Sequence, residues 1–292
     1  MRRLEAISVR FLKAAGIALF VLLTVTSLIF TRYFQKDYQS EIPYSQVDFF
    51  VLTLAGAVLL AALSMWLSSF LLRREETAER NLKLLLAVVL CWMLVSGFLW
   101  IALAKSTPVS DQNMIYTSAQ RFNQGNFERL TYGKYLYYYP FQLGFTAWES
   151  LILRIFGETN VQALQAFNVL GTMLTVYAGY RITWLLWKKR QAAAACLLFM
   201  AGCFPLIVYS VYVYSDVLAL ALCMTAVWQL LRYLREEKKS GAVLTALCLA
   251  AAVLLRNNSL IVMIAILCVL LVRALSRRRW QYLACAAVIL AC

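Results

Sequence analysis

The 292-residue chain contains no histidine, which excludes histidine triads, His-ligated zinc, histidine proton relays and phosphohistidine. Acid–base chemistry must then rest on carboxylates, lysines, tyrosines or cysteines. All eight cysteines (Cys91, Cys196, Cys203, Cys223, Cys248, Cys268, Cys285 and Cys292) stand in apolar runs and none forms a CxxC. They read as small core side chains rather than metal ligands or disulfides. Gly-rich phosphate loops, GxSxG and HExxH are absent, so ATP hydrolysis by this chain is not expected.

Chemistry can concentrate at four places. Asp111 precedes Ile115, Ala119 and Phe122 at helical spacing, which predicts a short helix starting near Ser110 or Asp111. Its carboxylate either caps that helix or is free to act as a base. Asp216, in VYVYSDVLAL, is an ionisable group in an apolar setting. Such a group is functional by default, the plainer alternative being a cap on the helix that follows. Arg256, in LLRNNSL, lies between two short apolar runs. There it lines a cavity with Asn257 and Asn258 and suits a phosphate, or it snorkels to the interface. Finally, Tyr132, Tyr135, Tyr137, Tyr138 and Tyr139 crowd toward Pro140. They form an interfacial aromatic belt or a surface for sugar rings or a lipid headgroup.

The elements that must hold these residues are membrane helices. With 63% hydrophobic and 14% charged residues and a mean hydropathy of +0.71, the chain has more apolar surface than a soluble domain can bury. Runs of membrane-spanning length occur near 12–31, 48–72, 82–104, 161–187, 191–210 and 216–234, with shorter ones near 240–255 and 258–272. The first run follows Arg2, Arg3, Arg10 and Lys13 and lacks a cleavage site, so it reads as a retained signal anchor. About eight or nine spans are expected, in an all-α polytopic bundle.

The net charge of +14 then describes orientation rather than nucleic-acid binding, because cytoplasmic ends of spans collect Lys and Arg. The N-terminal cluster and Arg73, Arg74, Arg80 and Lys83 fall inside, which places the loop 105–160 outside. Residues 141–156 are amphipathic: Phe141, Phe145, Trp148, Ile152 and Ile155 share one side, and Gln142, Thr146, Glu149 and Ser150 the other. Read as an interfacial helix on the outer surface, this segment leaves Lys188–Arg190, Arg232–Lys239 and Arg273–Arg279 inside. The chain divides into 1–81, two spans with a cytoplasmic loop; 82–279, the main membrane module; and 280–292, the start of a further span that ends while still apolar.

The segments VSDQNMIYTSAQRFNQGNF, YYYPFQLGF, LLWKKR, YVYSDVLAL and LLRNNSLI, in this order over about Leu82 to Arg273, resemble the polytopic GT-C glycosyltransferases. The most similar branch is the bacterial glycosyltransferase 39 group, related to protein mannosyltransferases and lipid A aminoarabinose transferases. The resemblance implies inverting transfer of a sugar from a polyprenyl-phosphate carrier to a glycan, lipid or protein acceptor on the outer face of the plasma membrane. Asp111 occupies the place of the family's catalytic acidic residue, although many relatives have Asp-Glu where this chain has Asp111-Gln112. A second family Asp matches Asp216, and the resemblance makes Asp111 and Asp216 the two candidate catalytic residues. Arg256 is the candidate for the carrier phosphate, and Asn257, Tyr116, Tyr139 and Gln142 are the other candidate substrate contacts. The sequence identifies no cofactor, while a divalent metal is compatible with the chemistry. A transporter or lipid flippase, with polar residues continuing through mid-bilayer, and a noncatalytic assembly partner are the alternatives.

Overall fold

The computed structural model of the chain describes residues 2–29, 31–34, 43–46 and 50–291; Cys292 lies outside them. A long helix, α1 (Arg2–Ile29), is followed by an antiparallel pair, β1 (Thr31–Phe34) and β2 (Pro43–Gln46), in which Thr31 faces Gln46. Helices α2 (Phe50–Leu71) and α3 (Glu75–Ala104) come next. The loop after α3 folds into three short helices, α4 (Ser110–Asn123), α5 (Tyr135–Tyr138) and α6 (Leu143–Phe156). Seven further helices complete the described chain: α7 (Val161–Trp187), α8 (Arg190–Ala201), α9 (Phe204–Val208), α10 (Asp216–Glu236), α11 (Lys239–Leu255), α12 (Leu260–Arg277) and α13 (Gln281–Ala291).

Among the described residues five helices are long and apolar enough to cross a membrane, and a sixth span results if α8 and the bent segment after it are one. Of the remaining helices, α11 and α13 are apolar but shorter, and α7 is long but is interrupted by Gln162, Gln165, Asn168 and Arg181 and falls outside the candidate set. Their outward surfaces agree: Trp66, Phe70 and Leu103 are exposed, as expected for side chains that face lipid. Cys285 is buried as anticipated, whereas Cys91 and Cys268 face outward.

The polarity of α7 has a structural cause. Residues 191–210 read as one span in the sequence, yet the chain bends by 57° between Arg190–Ala201 and Phe204–Val211. Pro205, with no N–H to donate, sits in the first turn after the break. Such a break frees carbonyl groups that must find donors inside a membrane protein. Gln165 Nε2 donates to Ser106 O and Val211 O, both at 3.1 Å, and Asn168 Nδ2 to Ser210 O (3.2 Å) and Tyr212 O (2.9 Å). Thr172 Oγ1 donates to Leu206 O at 3.1 Å. From α3, Trp92 and Trp100 donate to Ala201 O (3.1 Å) and Val208 O (3.2 Å). The polar stripe of α7 at 165, 168 and 172 thus holds an irregular backbone in place, and that backbone leads directly to Tyr214 and Asp216.

Two apolar cores flank the α7–α10 pair. One joins Leu82, Val89 and Met93 of α3 to Val176 of α7 and Ala193 and Leu197 of α8. The other joins Ala226 and Leu230 of α10 to Leu249, Ile266, Leu270 and Ile289. A third cluster fixes the loop helices, packing Ala119 of α4 and Ile152 and Leu153 of α6 on Leu164 of α7 and on Val213.

Gly144 sets the fit between α6 and α11. A Cβ there would overlap the carbonyl oxygen of Leu254. Because Gly144 is two residues after Gln142 and Leu254 two before Arg256, this approach is what lets those polar side chains share a cavity. Gly144→Ala is expected to cost about 1–3 kcal/mol of stability or more, read as a lowered melting temperature in detergent. Unchanged melting would show that the two backbones are not in close contact.

Candidate active site

Asp111 is the second residue of α4 and exposed. The helix begins where the sequence suggests, but its N-cap is Val109, with no side-chain cap. Ser110, immediately before Asp111, adopts φ 49°, a left-handed conformation that costs energy for a non-glycine residue. The capping alternative for Asp111 therefore falls away. The neighbouring Gln112 is buried, and its Oε1 accepts from the Val213 N–H at 3.1 Å. That bond ties the start of α4 to the segment carrying Tyr214.

A cavity of about 290 Å³ opens beside Asp111, near the lower end of the range for small-molecule sites. It is lined by Asp111, Tyr135, Tyr139, Phe141, Gln142, Tyr214, Arg256, Asn257 and Asn258. Asp111 is the one carboxylate of this lining. Burial, reinforced by the Asp111 charge, pushes the Tyr135 phenol well above its ordinary value of 10.0, so Tyr135 stays a neutral hydroxyl at physiological pH.

Arg256 enters the cavity from the end of α11. Its Nη2 lies 3.1 Å from Asp216 Oδ1, and its guanidinium carbon lies 4.9 Å from the centre of the Tyr214 ring. The Tyr214 hydroxyl in turn accepts a short hydrogen bond from Gln142 Nε2. A guanidinium has five N–H donors, so one carboxylate and one aromatic ring orient Arg256 without saturating it. Anions that need several aligned donors, phosphate above all, suit such a group.

Of the residues singled out from sequence, Asp111, Tyr139, Gln142, Arg256 and Asn257 come together at this cavity. Two do not. Asp216 is outside the lining and connects to it through Arg256; it faces instead an apolar cavity of about 250 Å³ that includes Thr172, Pro205, Leu206, Val217 and Leu220. Tyr116 packs in the α4–α6–α7 core. Tyr135, Phe141, Tyr214 and Gln112 gain roles that only the fold could assign, although Tyr135 stood in the tyrosine cluster and Tyr214 in the segment around Asp216.

The inward side of α6 is mixed. This helix is not among the candidate spans; Gln142, Thr146 and Glu149 are buried together with Phe145, Ile152 and Leu153, while Leu151, Ile155 and Phe156 are exposed. Thr146 Oγ1 is satisfied by Gln142 O at 2.9 Å, but neither oxygen of Glu149 has a hydrogen-bond partner. Burial holds the Glu149 carboxyl well above its ordinary value of 4.5, which keeps it neutral. A carboxyl raised on folding costs nothing below the unfolded value and costs progressively more as pH climbs from there toward the folded one. The native melting temperature should accordingly decline as pH rises above the ordinary carboxyl value of 4.5, and Glu149→Gln should remove that decline. Parallel pH curves for the two proteins would mean that the carboxyl is not neutral in the fold.

Comparison with known families decides the class. A family model described as dolichyl-phosphate-mannose-protein mannosyltransferase matches residues 144–292. The chain belongs to this mannosyltransferase family. No curated protein and no solved structure matches it. As a member, the chain is a membrane glycosyltransferase of the GT-C kind. The match takes in α6 to α13, and with them Tyr214, Asp216 and Arg256. It begins after Asp111, so it covers Tyr214, Arg256, Asn257 and Asn258 of the cavity lining but not the carboxylate.

Proposed function

We propose that the protein transfers a sugar from a polyprenyl-phosphate carrier to an acceptor hydroxyl, with inversion at the anomeric carbon. The observation that carries this reading is the shared cavity of Asp111 and Arg256. Asp111 accepts the proton as the acceptor oxygen attacks the anomeric carbon. The bond from that carbon to the carrier phosphate breaks, and its electron pair leaves on the phosphate. Arg256 stabilises the charge that develops there, and Tyr139 and Tyr135 offer ring faces to the sugar. The apolar cavity beside Asp216 gives the carrier chain a place one ion pair away from the polar cavity, so the donor enters laterally from the bilayer. A divalent metal is not required by any of these steps.

The cavity is assigned to the outer face and the N-terminus to the cytoplasm. Supporting this orientation, Arg235 Nη1 bonds Leu185 O at 2.7 Å and Arg279 Nη1 pairs with Glu237 Oε1 at 2.9 Å. The basic clusters after α7, α10 and α12 therefore gather at one end, as the positive-inside rule demands. Thiol labelling of cysteines placed at Glu158 and Lys189 should report opposite sides of the membrane; labelling of both from outside would reverse the assignment. The transfer itself is tested by incubating the purified chain with a panel of polyprenyl-phosphate sugars and acceptors. Release of polyprenyl phosphate with a glycosylated product supports the reading, and a folded chain that turns over none of them defeats it.

A further inference from the structure

Far from the Asp111 cavity, two arginines converge on one tryptophan. Arg181 lies on α7 and Trp228 and Arg232 on α10, whose ends are joined by the Arg235 to Leu185 bond. The guanidinium carbon of Arg181 is 5.2 Å from the Trp228 ring and 6.0 Å from the Tyr177 ring, and that of Arg232 is 5.9 Å from the same indole. Arg181 is six residues from Trp187 at the end of α7, about 9 Å along the helix. By the same rise it is about 30 Å from Val161, where α7 leaves the cavity side. The cluster thus belongs to the opposite membrane face and cannot serve a substrate beside Asp111.

The charges in this cluster are not balanced. Arg232 Nη1 donates to Gln229 Oε1 at 2.7 Å, and its Nε lies 3.9 Å from Glu236 Oε2. Arg181 donates only to the Tyr177 hydroxyl, at 3.3 Å, and has no carboxylate within ion-pair distance among the described residues. Its Nε and the Trp228 Nε1 are shielded donors with no partner. A half-buried guanidinium one or two turns inside a membrane boundary needs a counter-charge. At that level the bilayer itself supplies one, the phosphodiester of a lipid headgroup, which matches guanidinium geometry and lies where indole and phenol rings settle.

We infer that the α7–α10 face around Arg181, Arg232 and Trp228 binds the headgroup of an anionic glycerophospholipid in the leaflet opposite the Asp111 cavity. This site is independent of the sugar-transfer reading. The test is native mass spectrometry of the purified chain in detergent doped with phosphatidylglycerol or phosphatidylcholine. The native chain should retain phosphatidylglycerol preferentially, and Arg181→Gln should weaken that retention about fivefold, the effect of one basic residue at an anionic lipid surface. Lys239→Gln, an exposed change at the same end of the bundle, should leave retention unchanged. Equal retention of the two lipids by the native chain overturns the proposal, and so does an unchanged preference in Arg181→Gln. Displacement by inorganic phosphate at equal concentration would assign the cluster to a soluble anion instead. If Arg181→Gln does not fold, Arg232→Gln, whose guanidinium faces the same indole, takes its place, and an unchanged lipid preference there overturns the proposal.

Discussion

Asp111→Asn is expected to lower sugar transfer by about 100- to 10,000-fold, the contribution of a positioned general base, while expression and melting temperature stay unchanged. The separation of effects follows from the surroundings of the residue. Asp111 is exposed, is not the N-cap of α4 and has no ion-pair partner among the described residues; its contact is a hydrogen bond with the Tyr135 hydroxyl, which an asparagine oxygen also accepts, so the fold does not depend on its charge. Asparagine keeps the shape and the ability to hydrogen-bond an acceptor hydroxyl but takes no proton at neutral pH. A loss in kcat with little change in KM for the acceptor would identify proton acceptance; a change confined to KM would make Asp111 a binding group. Transfer at the native rate by the folded variant would remove Asp111 from the reaction altogether, and because the family match begins at residue 144, membership would survive that result.

Much of the frame was legible because membrane helices announce themselves by length and polarity. The start of α4, the break at Arg256 between two short helices and the long outer segments all follow from runs of apolar residues and their interruptions. What the sequence could not supply was the direction of each face. Periodicity separated Gln142, Thr146 and Glu149 from Phe145 and Ile152, yet all five are buried. Helical spacing tells which residues share a side, but not which sides a helix packed against α4, α7 and α11 will bury. The same ambiguity concerns α7. Its Gln165, Asn168 and Thr172 could have marked a polar pathway of the transporter kind. Instead they hydrogen-bond the backbone between Leu206 and Tyr212, a demand created by a break that hydropathy read as continuous span. Long-range fits were equally hidden. Gly144 resembles any other helix glycine until the Leu254 carbonyl is placed against it.

Arg256→Gln should reduce transfer by about 100- to 1,000-fold, comparable to removing one donor aimed at developing negative charge. Asp216 is the second candidate catalytic residue of the sequence, but its place outside the cavity lining predicts a different and smaller effect. An ion pair as exposed as Arg256–Asp216, with side chains 27% and 42% accessible, contributes on the order of 0–1 kcal/mol. Asp216→Asn should therefore slow transfer by no more than about fivefold, the rate equivalent of that energy. The double variant separates the two roles. If Asp216 acts only by orienting Arg256, adding Asp216→Asn to Arg256→Gln should slow the reaction no further, because the interaction it supports is already gone. If instead the two losses multiply, Asp216 has its own contact with the donor, and the carrier phosphate must extend past Arg256 toward the apolar cavity. Either result fixes where the leaving group sits relative to the ion pair, which neither single substitution can do.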